Sequence, residues 1–246
     1  MGLFDRFRGD KPKSDIPKTS PAAKWADKAG DKRAQNYDRA EAIAHLSQMR
    51  SADAVSALLK RFTFTIDPSI TDQEEKDAAY DGIVAAGEEA IGPVRAFAVK
   101  AASLAWPMKI LKDLLDESAY VDELLVWLGR FDTEYAKFVD PKIQVLKALE
   151  EHKNTKIRPA VERFLLDVNE PARFHAVAVT LAQGEPEGAG PLSNVLEEEE
   201  SFRVRNKIAE GLALHGWRVP EDKRDPVRRV IAPAFTVDAD GRVKKR

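Results

Sequence analysis

A short apolar phrase returns six times along this chain and limits the available folds more than any other feature. Each occurrence is an adjacent apolar pair followed at the fourth step by an aliphatic residue. The six are Ala42-Ile43 with Leu46, Ala79-Tyr80 with Ile83, Ile110-Leu111 with Leu114, Val145-Leu146 with Leu149, Val177-Ala178 with Leu181, and Ile208-Ala209 with Leu212. Positions i, i+1 and i+4 share one face of an α-helix, whereas a half-buried strand alternates at every second residue. Strand-like alternation is scarce after Arg33, so the body is expected to be all-α. The final residues of the phrase stand 37, 31, 35, 32 and 31 apart, room for two helices and their turns in each period. One helix pair cannot bury its own apolar face, so pairs repeating at this interval are expected to stack.

The turns inside the periods carry matching chemistry. Gly87 and Gly184 follow the phrases at Ile83 and Leu181, where a helix end takes a left-handed residue. Pro93 and Pro191 then fall near the start of a second helix, where a missing N–H costs least. Asn169 with Pro171 marks a helix start in the same way, and His175 falls inside that helix, two residues before the apolar pair Val177-Ala178. That placement makes His175 a hydrogen-bonded, partly exposed residue at a seam between pairs.

Six such helix pairs over 33–231 resemble HEAT repeats, in particular the shorter HEAT-like variety. Val204-Arg205-Asn-Lys-Ile-Ala-Glu-Gly-Leu212 is similar to that family's first-helix phrase, valine-arginine followed by small and aliphatic residues. The tetratricopeptide and ankyrin signatures are absent. The resemblance implies a right-handed α-solenoid of about six antiparallel helix pairs whose second helices line a concave face. It implies a non-catalytic scaffold or adaptor that binds another protein or a peptide there. Outside the apolar stripe of the second helices stand Arg95, Glu123, Arg130, Lys156, Glu162 and Arg163, the candidate contacts. Their mixed signs predict a partner carrying both charges.

Flanking and interrupting segments differ in composition. Residues 1–32 are expected to form a flexible tail, because 9–32 carries Lys, Asp, Ser, Ala and three prolines with little periodicity. At its start, Leu3, Phe4 and Phe7 share one helical face beside Arg6 and Arg8, the pattern of a small anchor for a partner or for weak peripheral membrane contact. Phe62 to Thr71 is β-prone and proline-broken, and is expected to be a long connection. Gly129 to Asp140 is a second interruption. After the last pair, 232–246 reads as a tail or a short hairpin around Asp240-Gly241.

Chemistry is sparse. With 39 basic against 41 acidic residues the net charge is −2, so no global field favours nucleic acid. No cysteine is present, which removes disulfides, thiolate metal sites and cysteine nucleophiles and suits a reducing, cytoplasmic location. His45, His152, His175 and His215 fall in different pairs without zinc-site spacing, and no metal or other cofactor is expected. No phosphate-binding glycine loop or nucleophile elbow occurs, so no catalytic residue is assigned. The acidic runs Asp72-Gln-Glu-Glu75 and Glu197 to Glu200 read as solvated faces and helix-dipole partners. Some HEAT-like proteins are DNA glycosylases and others attach bilins, so an enzyme or nucleic-acid binder of these kinds is the alternative. Its nearest material is Trp106, Trp127, Arg130, Arg158 and Arg163. Trp127 also lies among Leu124, Leu125 and Leu128, the pattern of a core-facing stripe.

Overall fold

The computed structural model describes residues 16–136 and 138–246, and these form thirteen α-helices and one two-stranded sheet. They group into two compact units where the sequence reading draws one domain over 33–231. One unit holds residues 16–101 with Ala105–Leu115, and the other holds Ala102–Leu104 with Asp116–Arg246.

In the first unit, α1 (Ala23–Ala29) precedes the pair α2 (Asn36–Met49) and α3 (Ala52–Leu59). The pair α4 (Ser69–Val84) and α5 (Ile91–Ala98) comes next, and α6 (Ala105–Leu114) closes the unit. First helices pack on first helices, α2 on α4 and α4 on α6, while α3 packs on α5. In the second unit, α7 (Glu117–Leu128) is followed by α8 (Asp140–Leu149), the short α9 (Ile157–Val161) and a 3₁₀ continuation, Glu162–Leu166. Then come α10 (Glu170–Gln183), α11 (Ala189–Glu198), α12 (Phe202–His215) and α13 (Arg224–Val230). Here α8 packs on α10, α10 on α12, and α11 on α13.

The apolar phrase supplies the core of this packing. Leu46, Ile83, Leu149, Leu181 and Leu212 are all buried, as are the pairs before them apart from the half-buried Tyr80, and Leu114 is half-buried. Gly87 and Gly184 take the left-handed conformation, at φ 59° and 75°. Two further glycines set how closely the first helices approach. A Cβ on Gly82 of α4 would stand 2.1 Å from Ser47 Oγ of α2, and one on Gly211 of α12 would stand 2.3 Å from the Leu181 methyls of α10. Each glycine precedes a recurring aliphatic residue by one position, Ile83 or Leu212.

Part of the expected flexible tail is folded. Its described residues include α1, which buries Ala26 and Ala29 against α2 and α3, with Ile16 and Ala22 also buried. Trp25 stacks on His45 at 4.0 Å between ring centroids. Alanine combines high helix propensity with a small side chain, so α1 fits against α2 and α3 without the large apolar residues that make a helix periodic in sequence. Residues 1–15, with Leu3, Phe4 and Phe7, lie outside the described residues. The connection after α3 is shorter than Phe62 to Thr71, because a 3₁₀ turn covers Lys60–Thr63 and α4 starts at Ser69. At the other end, β1 (Phe235–Val237) and β2 (Val243–Lys245) form the antiparallel hairpin, with Val237 opposite Val243.

Two substitutions probe this packing. Leu149→Asp places an unpaired carboxylate in a fully buried site and is expected to cost several kcal/mol, whereas Glu151→Asp, at an exposed position, changes little. Thermal melting followed by circular dichroism separates them; equal melting temperatures would refute the assigned core. Gly211→Val drives a side chain into Leu181 and is expected to destabilise by at least about 1–3 kcal/mol in urea titration, as overpacking does.

Candidate functional site

The residue seven positions before the recurring aliphatic is a cation in four periods, Arg39, Lys76, Lys142 and Arg205; in the fifth, Arg173 is one position further off. Most of these cations point inward. Lys142 and Asp167, each about 1 % exposed, meet with Nζ 2.5 Å from Oδ2. Nζ also donates to the Asp132 carbonyl at 3.0 Å, and Asp167 Oδ1 accepts from the Asn169 backbone N–H and side-chain amide. Arg173 forks onto Glu199 at 2.7 and 2.8 Å and donates to the Asp167 carbonyl.

The first unit holds a larger cluster. Arg39 and Arg61 both donate to Glu75, Arg61 reaches Asp72 Oδ1 at 2.7 Å, and Lys76 reaches Asp72 Oδ2 at 2.6 Å. Arg39 also donates to the Ala34 carbonyl and to Asn36 Oδ1. Burial alone pushes the Asp72 carboxyl up, but hydrogen bonds from Lys76, Arg61 and the Ile66 N–H outweigh it and hold Asp72 at about 2. The acidic runs are therefore not plain solvated faces. Asp72 and Glu75 in the first, and Glu199 in the second, are buried and ion-paired.

Beside this cluster, α2 and α4 bound an open groove of about 1040 Å³. Its floor is alanine: Ala40 and Ala44 come from α2, Ala78 from α4 and Ala85 from the residue just after α4, all exposed. Larger side chains at these positions would fill the furrow between two helices held close by the Ser47–Gly82 contact. Tyr37, 76 % exposed, stands at the rim with Glu74 and Asp81. The two carboxylates are two turns apart on one face of α4, about 10.5 Å along its axis. Neither has a partner among the described residues. The second unit has a smaller counterpart of about 380 Å³ between α10 and α12, where the Leu181 side chain lies over Gly211.

The residues proposed from sequence are divided between the two units. Arg95 lies exposed on α5 in the first unit, and the other five belong to the second. Glu123 is a correction: it is only 6 % exposed, facing inward from α7 with Leu124 and Trp127, so it is no surface contact. The stripe on α7 is wide enough to include position 123, which a helical wheel set from the leucines alone misplaces. Arg130, Lys156, Glu162 and Arg163 are exposed. Lys156 pairs with Asp122 at 2.7 Å, Glu162 faces Arg158, and Arg163 donates to the Phe131 and Leu128 carbonyls. Trp127 is fully buried, Trp106 stacks on Phe62, and Arg158 binds Glu185, so none of the three is a free surface group. His175 places Nδ1 2.5 Å from Glu150 Oε1, at the end of α8.

No cluster of three or more metal-ligating side chains occurs among the described residues, and no described helix is long and apolar enough to cross a membrane. No protein-family model matches the sequence, and no curated protein matches it.

The ion cluster is expected to make stability depend on acid. Asp72 is held at about 2 against an ordinary 3.8, so its contribution is present above about pH 4 and is lost as pH falls through 2. Urea midpoints of the wild type should drop across this window more than those of Asp72→Asn; parallel curves would refute the assignment. Glu75→Ala leaves Arg39 and Arg61 buried without their shared carboxylate and is expected to cost about 3–5 kcal/mol.

Proposed function

We propose that this chain is a non-catalytic helical-repeat adaptor of the HEAT-like kind, right-handed in its winding, that binds a basic amphipathic segment of a partner protein in the α2–α4 groove. The packing of α2 on α4 on α6, and of α8 on α10 on α12, supports the HEAT-like reading within each unit. The observation that carries the binding reading is the groove: an apolar floor of exposed alanines beside two unpartnered carboxylates. A helix laid there would set its large apolar side chains between α2 and α4 and its lysines or arginines against Glu74 and Asp81, the helix-in-groove mode. The second-helix positions in the second unit are the weaker surface, because Lys156, Glu162 and Arg163 are engaged within the chain.

A displayed library of short peptides provides the test. Enriched sequences should carry aromatic or leucine residues at helical spacing with lysine or arginine beside them, and should lose binding to Ala44→Arg/Ala78→Arg but not to Arg130→Glu/Arg163→Glu. Enrichment of acidic peptides, or undiminished binding to the groove variant, overturns the reading.

A further inference from the structure

The α2–α4 groove has a polarity as well as a charge. Arg39 of α2 meets Glu75 of α4 and Ser47 faces Gly82, so the two helices run in the same direction, from Tyr37 and Thr71 at one end to Arg50 and Ala85 at the other. The charged residues lining the groove are Arg50, Glu74, Glu75 and Asp81, and Glu75 is engaged by Arg39 and Arg61. Arg50, just past the end of α2, is exposed and has no carboxylate partner among the described residues. We infer that the partner segment enters as a helix antiparallel to α2 and α4, bringing an acid to Arg50 and then two cations seven residues apart to Asp81 and Glu74. The inference rests on the groove being a binding site for a basic amphipathic segment, and adds the order of that segment's charges and the direction in which it lies.

The order follows from the helix levels. Ser47 lies beside Gly82, so Arg50 stands about one helical turn beyond Asp81, while Glu74 stands about two turns before it. Seven residues of a bound helix rise by the same distance of about 10.5 Å that separates the two carboxylates, which sets the spacing of the cations. An acid for Arg50 then falls about three or four residues from the nearer cation, on the same face. The direction follows from what these charges do to the segment itself. A helix is most stable with acids in its first turn and cations towards its end, and an acid four residues before a cation is better placed than one four residues after it. With the acid held at Arg50, that order puts the segment's N-terminus against the C-terminal ends of α2 and α4, where opposed helix dipoles also attract. From Asn36 to Arg50 the groove runs about 21 Å, room for a helix of roughly four turns.

The absence of cysteine makes the direction measurable. Gln48→Cys marks the Arg50 end of the groove and Tyr37→Cys the opposite end, both at exposed positions. The probes are library-selected peptides that lose binding to Ala44→Arg/Ala78→Arg, made with a cysteine at the N-terminus or at the C-terminus and oxidised with each variant under mild conditions. The N-terminal thiol should couple to Gln48→Cys at least about tenfold faster than to Tyr37→Cys, and the C-terminal thiol should show the opposite preference, because the nearer end has the higher local concentration. For charge, Arg50→Glu should weaken the peptides about two- to fivefold, the size of an exposed ion pair, and exchanging the peptide's acid for lysine should recover the loss. Arg50→Asn, which suits the left-handed backbone at φ 46°, should also weaken them and keeps the measurement open if glutamate disturbs the helix end. Equal coupling at the two ends, the reverse preference, or affinity unchanged by both Arg50 variants overturns the inference while leaving the groove reading in place. If no selected peptide loses binding to the groove variant, the groove reading falls with it.

Discussion

Buried cations that reach forward along the chain hold this protein's helices in register. Lys142 meets Asp167 just before α10, and Arg173 meets Glu199 just before α12; Arg39 meets Glu75 inside α4. An isolated buried charge would be prohibitive, and these are tolerated because their partners and the nearby carbonyls and amides leave few lone pairs or protons unused. The same groups bind the backbone of connecting segments. Arg61 donates to the Phe64 carbonyl while Asp72 accepts from Ile66, which fixes the chain between α3 and α4. Lys142 does the same for Asp132, and the Thr133 carbonyl accepts the Val168 N–H.

The groove follows from that register. Once α4 is fixed against α2, Gly82 admits Ser47 and the helices close at that level, leaving the alanines at the flanking turns to face an open furrow. Between α10 and α12 the corresponding contact is made by Leu181 against Gly211, and the larger side chain occupies the space. The side chain set against the glycine, serine in one pair and leucine in the other, thus accompanies a large groove in the first and a smaller one in the second.

For function, the distribution of unspent charge matters more than its amount. Many exposed cations of the second unit are committed to neighbouring carboxylates or carbonyls, Lys156 and Arg163 among them. Glu74 and Asp81 are not, and they border the apolar groove between α2 and α4. Free charge next to exposed apolar area is the combination that gives a surface both affinity and selectivity.

The repeating phrase by itself determined that the body is helical, where the first helices lie and which face of each is buried, because a 3.6-residue period and burial leave the same trace in composition. Local turn residues marked Gly87 and Gly184 as left-handed and 232–246 as a tail or a short hairpin, of which the structure forms the hairpin. Tertiary structure alone decided which charges are internal. Asp72, Glu75, Glu123 and Glu199 look in sequence like solvated carboxylates, and the partners that make burial tolerable for Glu75 and Glu199 include Arg39 and Arg173, on an earlier helix in each case. It likewise decided that α1 folds and that Ala40, Ala44, Ala78 and Ala85 form one floor. Alanine is neutral in pattern, and its role depends on what the neighbouring helix places opposite it.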